Sequence, residues 1–137
     1  MKNYALLALF TSSLLASVSA WTGVPVHTCI VNIEVSGSKN IECYEGSDLT
    51  ALEAQCERRK KTYFNAKDYR VEKDKTCPTG HYGVCRGKKP DAIAQYFYAA
   101  PSKPPFPAPN VKSLQEHQKE MCESVQNGVW KSTSTSQ

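Results

Sequence analysis

Hydrophobic and polar residues alternate over residues 28–35, with Cys29, Val31, Ile33 and Val35 on one side and Thr28, Asn32 and Glu34 among those on the other. A period of two marks a half-buried strand. The polar stretch 36–40 predicts a turn, and residues 41–45 return as the second strand of a hairpin. The period then lengthens. Leu49, Leu52, Cys56 and Tyr63 recur at spacings of three, four and seven, which aligns them on one stripe of a helix that Ser47 or Asp48 can cap.

The second half follows the same order. Residues 84–86 are a short strand candidate, 87–91 form a polar turn containing Pro90, and 93–98 are a β-prone run with Tyr96, Phe97 and Tyr98. A second helix begins near Asn110 or Ser113, where Ser113 and Glu116 form a capping box. Val111, Leu114, Met121, Cys122 and Val125 make its apolar face, and Gly128 is its stop. Cys56 follows Cys29 by 27 residues and Cys122 follows Cys85 by 37, the excess matching a proline-rich insert at 101–109. Phe64 and Trp130 each follow a helix cysteine by eight. The reading is an α+β fold: two small strand-strand-helix modules forming one disulfide-stapled antiparallel sheet with helices packed on it. Module one spans 28–64 and module two 77–130.

The chain has 137 residues, too few for two ordinary domains. Its start narrows the picture further. Lys2 is the only charge before Glu34, an apolar run follows it, and Val18-Ser19-Ala20 supplies small residues. Residues 1–20 therefore read as a secretory signal peptide, leaving a disulfide-rich domain at 21–130 and a polar, disordered tail at 131–137. The apolar run is too short to span a bilayer. A secreted or extracellular location follows, periplasmic if the source is bacterial, with no membrane insertion after cleavage.

All six cysteines lie beyond the leader. An even count in a short exported chain reads as a disulfide framework. The nearest two, Cys77 and Cys85, have seven residues between them, which argues against a zinc site. Six cysteines allow 15 pairings. If the modules are equivalent, Cys29 pairs with Cys56 and Cys85 with Cys122, each tying a strand to its own helix, and Cys43 with Cys77 joins the modules. In a hairpin turning at Ser38, Cys43 lies opposite Ile33, so Cys29 is roughly 13 Å away, beyond the reach of about 7 Å that a disulfide tolerates.

The order Cys43-Tyr44-Glu45-Gly46-Ser47, Cys77-Pro78-Thr79-Gly80, Gly83-Val84-Cys85, Gln95-Tyr96-Phe97-Tyr98, Cys122, Gly128 and Trp130 resembles small exported Cys-rich bacterial proteins of uncharacterised function with paired CP, GxC, YY and GxW modules. The resemblance covers residues 28–130 and implies a fold but no catalytic residue. The proline-rich insert and the charged first helix depart from that pattern. Size, cysteine count and leader are also similar to those of secreted fungal effectors.

Charge excludes little more. The formal +4 drops by one with the leader. The one dense basic run, Arg58-Arg59-Lys60-Lys61, has Glu53 and Glu57 beside it, with Glu57 placed to pair with Lys61. It reads as a solvated helix face, so nucleic acid is not the expected partner. His27, His81 and His117 are scattered, and no nucleophile elbow, phosphate loop or metal cluster is present. A ribonuclease-like site would need Tyr44-Glu45-Gly46, Arg58 or Arg59, and His81 to converge, and no spacing brings them together. No catalytic residue, metal or cofactor is assigned.

Binding features are richer. The loop 78–84 is anchored by cysteines at both ends and carries His81 and Tyr82, a plan that suits plugging the cleft of a foreign hydrolase. Tyr96 offers a surface aromatic, and Phe106 stands on the extended proline-rich run. The function read from the sequence is a non-enzymatic interaction protein with an unidentified protein partner, such as an effector acting on a host or competitor. Its rivals are a hydrolase inhibitor and a small ribonuclease-like hydrolase.

Overall fold

The computed structural model describes residues 25–133 apart from 36, 102–106 and 108. The expected leader at 1–20, most of the proline-rich insert with Phe106, and the end of the tail lie outside the described residues. In chain order the elements are β1 (His27–Val35), β2 (Ser38–Gly46), α1 (Leu49–Thr62), β3 (Ala66–Glu72), β4 (Gly83–Gly87), β5 (Ala94–Phe97), α2 (Val111–Glu120) and β6 (Gly128–Ser132). One π-helical turn, Met121–Val125, prolongs α2.

All six strands join one antiparallel sheet in the order β3-β1-β2-β5-β4-β6. This is the α+β architecture that the hydrophobic pattern predicts, with a third strand added to each module. β3 lies beyond residue 64, and β6 carries Lys131 and Ser132 of the expected tail into the sheet. The order is the same triplet read inward from either edge. A pseudo-twofold axis therefore passes between β2 and β5. One row of paired residues crosses the whole sheet: Val71, Cys29, Tyr44, Gln95, Cys85 and Trp130. The axis falls between Tyr44 and Gln95 and exchanges Cys29 with Cys85. It also makes Val71 the counterpart of Trp130. Phe64, the counterpart that spacing suggests, is 98% exposed beyond α1.

Helix α1 packs on its own triplet, and in each half a disulfide ties the helical segment to the first strand, through Cys56 of α1 and through Cys122 in the π-helical turn after α2. Cys29 bonds Cys56, Cys85 bonds Cys122, and Cys43 bonds Cys77, the pairing that the repeat implies. The hairpin register differs from the expected one. Strand β2 begins at Ser38, only residues 36 and 37 intervene, and Gly37 takes a positive φ of 72°. Cys43 therefore faces Ile30, and Tyr44 faces Cys29. A Cys29–Cys43 bond is precluded because alternate residues leave opposite faces of the sheet, not because of distance along the strand.

The two faces have different covers. On the helix face Cys29, Val31, Ile33, Tyr44, Leu52 and Cys56 form the main core. On the other, Ile30, Cys43 and Cys77 form a smaller cluster with Ile41, Tyr96 and Tyr98 against it. Among the described residues no helix covers this second, open face. Helix α1 is capped by Asp48, whose carboxylate accepts from the Ala51 N–H at 3.0 Å. Helix α2 is capped by Asn110, which accepts from the Ser113 N–H at 3.1 Å, so Ser113 sits inside the helix and does not start it. Its expected apolar face is thinly used. Cys122 is buried, but Met121 and Val125 are 37% and 68% exposed. Asn127 supplies the left-handed residue after the helix, with φ 50°. Gly128 is required for want of space, since a Cβ there would lie 2.9 Å from both sulfurs of the Cys85–Cys122 bond.

Candidate functional site

Two of the hollows among the described residues gather candidate chemistry, one on each face. On the helix face a groove of about 390 Å³ runs between α1 and α2, floored by Glu42, Tyr44, Gln95 and Phe97. The basic run of α1 reaches it. Arg59 turns inward and grips Glu42 at both ends: Nε donates to Oε2 and Nη2 to Oε1, each at 2.5 Å. Their side chains are 10% and 16% exposed. Reading 58–61 as a solvated face thus fails at Arg59, because a carboxylate two residues before Tyr44 faces the helix. It holds at Lys61, which pairs with Glu57 at 2.7 Å.

The Tyr44 hydroxyl donates to Glu42 at 3.1 Å, and Tyr63 stacks on the Arg59 guanidinium 3.6 Å from its ring centre. Burial, and then the charge of Glu42, push the Tyr44 hydroxyl far above the ordinary tyrosine range. Burial pulls the Arg59 guanidinium down, but hydrogen bonds and charge from Glu42 outweigh it and raise the net value. One atom is left over: Arg59 Nη1 is buried without a hydrogen-bond partner.

On the open face a second groove, about 600 Å³, is lined by His81, Val84, Arg86, Lys88, Tyr96 and Val129, with Lys131 and Thr133 at its margin. The alternation of β4, β5 and β6 sends these side chains to one side. The connector 73–82 is pinned to this face at Cys77, Pro78 and His81. Cys77 is bonded to Cys43, and its N–H donates to Glu45 Oε2 at 3.1 Å. The Tyr98 hydroxyl donates to the Pro78 carbonyl at 2.7 Å. The His81 ring meets Tyr96 edge-on at 4.8 Å between centroids and Tyr98 at 6.0 Å. Tyr96 donates to Glu45 Oε1 at 3.1 Å, and Arg86 Nη2 lies 3.9 Å from the same oxygen. Burial first, then Glu45, raises the Tyr96 hydroxyl, and burial raises that of Tyr98.

The structure thus brings together two of the sequence-derived binding residues, His81 and Tyr96, which stand 15 residues apart in the chain. Tyr82 departs from expectation. It is 5% exposed, its ring lies 6.2 Å from Phe97, and its N–H donates to the Phe97 carbonyl at 2.8 Å. It is packed below the loop and not displayed on it, and burial, helped by Glu42, pushes its hydroxyl up to about 12. Phe106 lies outside the described residues. Tyr44 and Arg59 sit on the helix face while Glu45 and His81 sit on the open face, so the sheet separates the expected ribonuclease set. Arg86, Lys88 and Lys131 escape sequence reasoning because nothing in the sequence shows that β4 and β6 are neighbours. No protein-family model matches the chain, and no curated protein or solved structure shows significant similarity to it.

Proposed function

We propose that the protein is exported and acts as a non-enzymatic binding module, and that its open-face groove takes an acidic segment of a partner protein. The observation that carries this reading is the grouping of Arg86, Lys88 and Lys131 with Tyr96, Val84 and Val129 in one groove. Tyr96 and Arg86 with the valines have the chemistry of an interface centre, and Lys88 and Lys131 that of its polar rim. Three disulfides fit an oxidising compartment. No described helix is long and apolar enough to cross a membrane. Capture with the oxidised mature chain should recover a partner that K88E/K131E no longer retains, with retention falling as salt rises. Equal capture by the double variant defeats the reading.

A second reading, a small ribonuclease, is favoured by one observation. Glu45, His81 and Arg86 gather about Tyr96 on the open face. It ranks below binding because both Glu45 oxygens already accept hydrogen bonds, from Tyr96 and from the Cys77 N–H. RNA should survive incubation with the oxidised protein, and degradation that is abolished by H81A would reverse the ranking.

A further inference from the structure

The groove on the helix face has chemistry that neither the core nor the open-face binding surface uses. Arg59 is nine-tenths buried, and Glu42 satisfies only its Nε and Nη2. Nη1 is buried with no partner. A buried donor left without an acceptor is rare in a folded protein. With no exposed surface of its own, Nη1 stays inside the wall, and Arg59 serves to fix Glu42 and Tyr63 as the sides of the groove. Arg58 lines the same groove one residue earlier and has no carboxylate partner among the described residues. Since Glu42 and Arg59 cancel, Arg58 leaves the hollow with a net positive charge.

Four amides converge there from four places in the chain: Gln55 of α1, Gln95 of β5, Gln118 of α2 and Gln126 just beyond it. The side chains of Gln95 and Gln118 make no hydrogen bond with other described residues. Each amide offers both donors and an acceptor, a pattern complementary to neighbouring hydroxyls, which also both donate and accept. Phe97 in the floor and Tyr63 in the wall add flat apolar faces. A smaller hollow of about 200 Å³ continues the groove past Tyr44, Gln55, Gln95 and Gln126. A peptide would need pockets for apolar side chains, and this lining is predominantly polar. A hydroxylated ring bearing a carboxylate meets each element: anion to Arg58, hydroxyls to the glutamines, ring face to the aromatics.

We infer that the groove between α1 and α2 is a binding site for a sugar acid, of the uronate type, with Arg58 as its carboxylate-recognising residue. The pseudo-twofold axis explains why there is one site and not two. The groove straddles that axis, with Glu42 and Tyr44 on one side and Phe97 and Gln95 on the other, so the symmetry maps it onto itself.

Calorimetric titration of the oxidised mature protein with a galacturonate trimer, a neutral galactose trimer and an acidic tripeptide tests the site. The uronate should bind, and the neutral sugar and the peptide should bind at least tenfold more weakly. Arg58→Gln and Gln95→Ala, neither of which is in the buried core, should each weaken uronate binding about tenfold or more at unchanged melting temperature. Lys60→Gln and K88E/K131E should leave it intact, which separates this site from the open face. Absence of uronate binding at millimolar concentration, equal binding of the neutral sugar, preference for the peptide, or indifference to both groove variants overturns the proposal.

Discussion

Two glutamates illustrate how little a charge in a sequence says about its worth. Glu42 and Glu57 both pair with a base of α1, but the Glu42–Arg59 pair is nearly enclosed and bidentate, whereas Glu57 and Lys61 stand in water. Removing one partner of an enclosed pair strands the other charge. Glu42→Gln should therefore cost about 2–3 kcal/mol in urea unfolding, somewhat below a fully buried case, while Glu57→Gln should leave the midpoint where it is. Gly83 is constrained by its neighbour. A Cβ built there would fall 2.0 Å from the Trp130 ring, so Gly83→Ala must push the indole off β4. We expect a loss of about 2 kcal/mol, in the range of overpacked cores, with a shift in Trp130 fluorescence. Tyr82 sets an alkaline limit. Its hydroxyl is raised from 10.0 to about 12 in the fold, so above pH 10 the unfolded chain sheds a proton that the folded one keeps. Stability is complete below about pH 10 and falls as pH rises from there to 12. Tyr82→Phe should make that decline shallower in pH-dependent denaturation.

At the scale of elements, the two helices occupy equivalent positions with unequal support. Leu52 and Cys56 bury α1 against β1, whereas Val111–Glu120 has no buried residue. Helix α2 depends on the Cys85–Cys122 bond and on Gln115, whose amide donates to the carbonyls of Tyr82 at 2.8 Å and Thr133 at 3.2 Å. Amide hydrogen exchange should accordingly be faster over 111–120 than over 49–62. Replacing Cys85 and Cys122 by alanine should widen that gap and cost about 4 kcal/mol by loop-closure entropy. The same contrast bears on what the sequence reveals. β1, α1 and the three disulfides are legible because alternation, helical spacing and the cysteine intervals agree. β3 is not, because only Tyr69 and Val71 alternate with charges at Lys67, Asp68, Arg70 and Glu72, and one core face on an edge strand leaves a faint signal. The hairpin is shifted from its expected register because Gly37 lets the chain reverse in two residues where five polar ones suggest a wider turn. The open-face groove is half legible: His81 and Tyr96 stand out as polar and aromatic residues, but their cationic neighbours come from strands paired over long range.

For the molecule as a whole, the inner seam is short. β2 and β5 pair only over Glu42–Glu45 against Ala94–Phe97, and each flanks a triplet with its own helix and its own disulfide. The seam resembles a subunit interface built into one chain. Its closure then depends on how concentrated each half is in the neighbourhood of the other, a quantity set by the tether between them. From the end of β3 to the start of β4 that tether is residues 73–82, but the bond from Cys43 to Cys77 fastens its midpoint to β2 itself. Only residues 78–82 then separate β4 from the anchor. With the bond closed, β5 meets the β2 of its own chain before that of any other. With Cys43 and Cys77 replaced by serine, the leash doubles, and refolding at high protein concentration should yield dimers with exchanged halves on size-exclusion chromatography. The third disulfide, which staples no helix, thus governs local concentration: it decides whether the two halves of one molecule remain each other's partners.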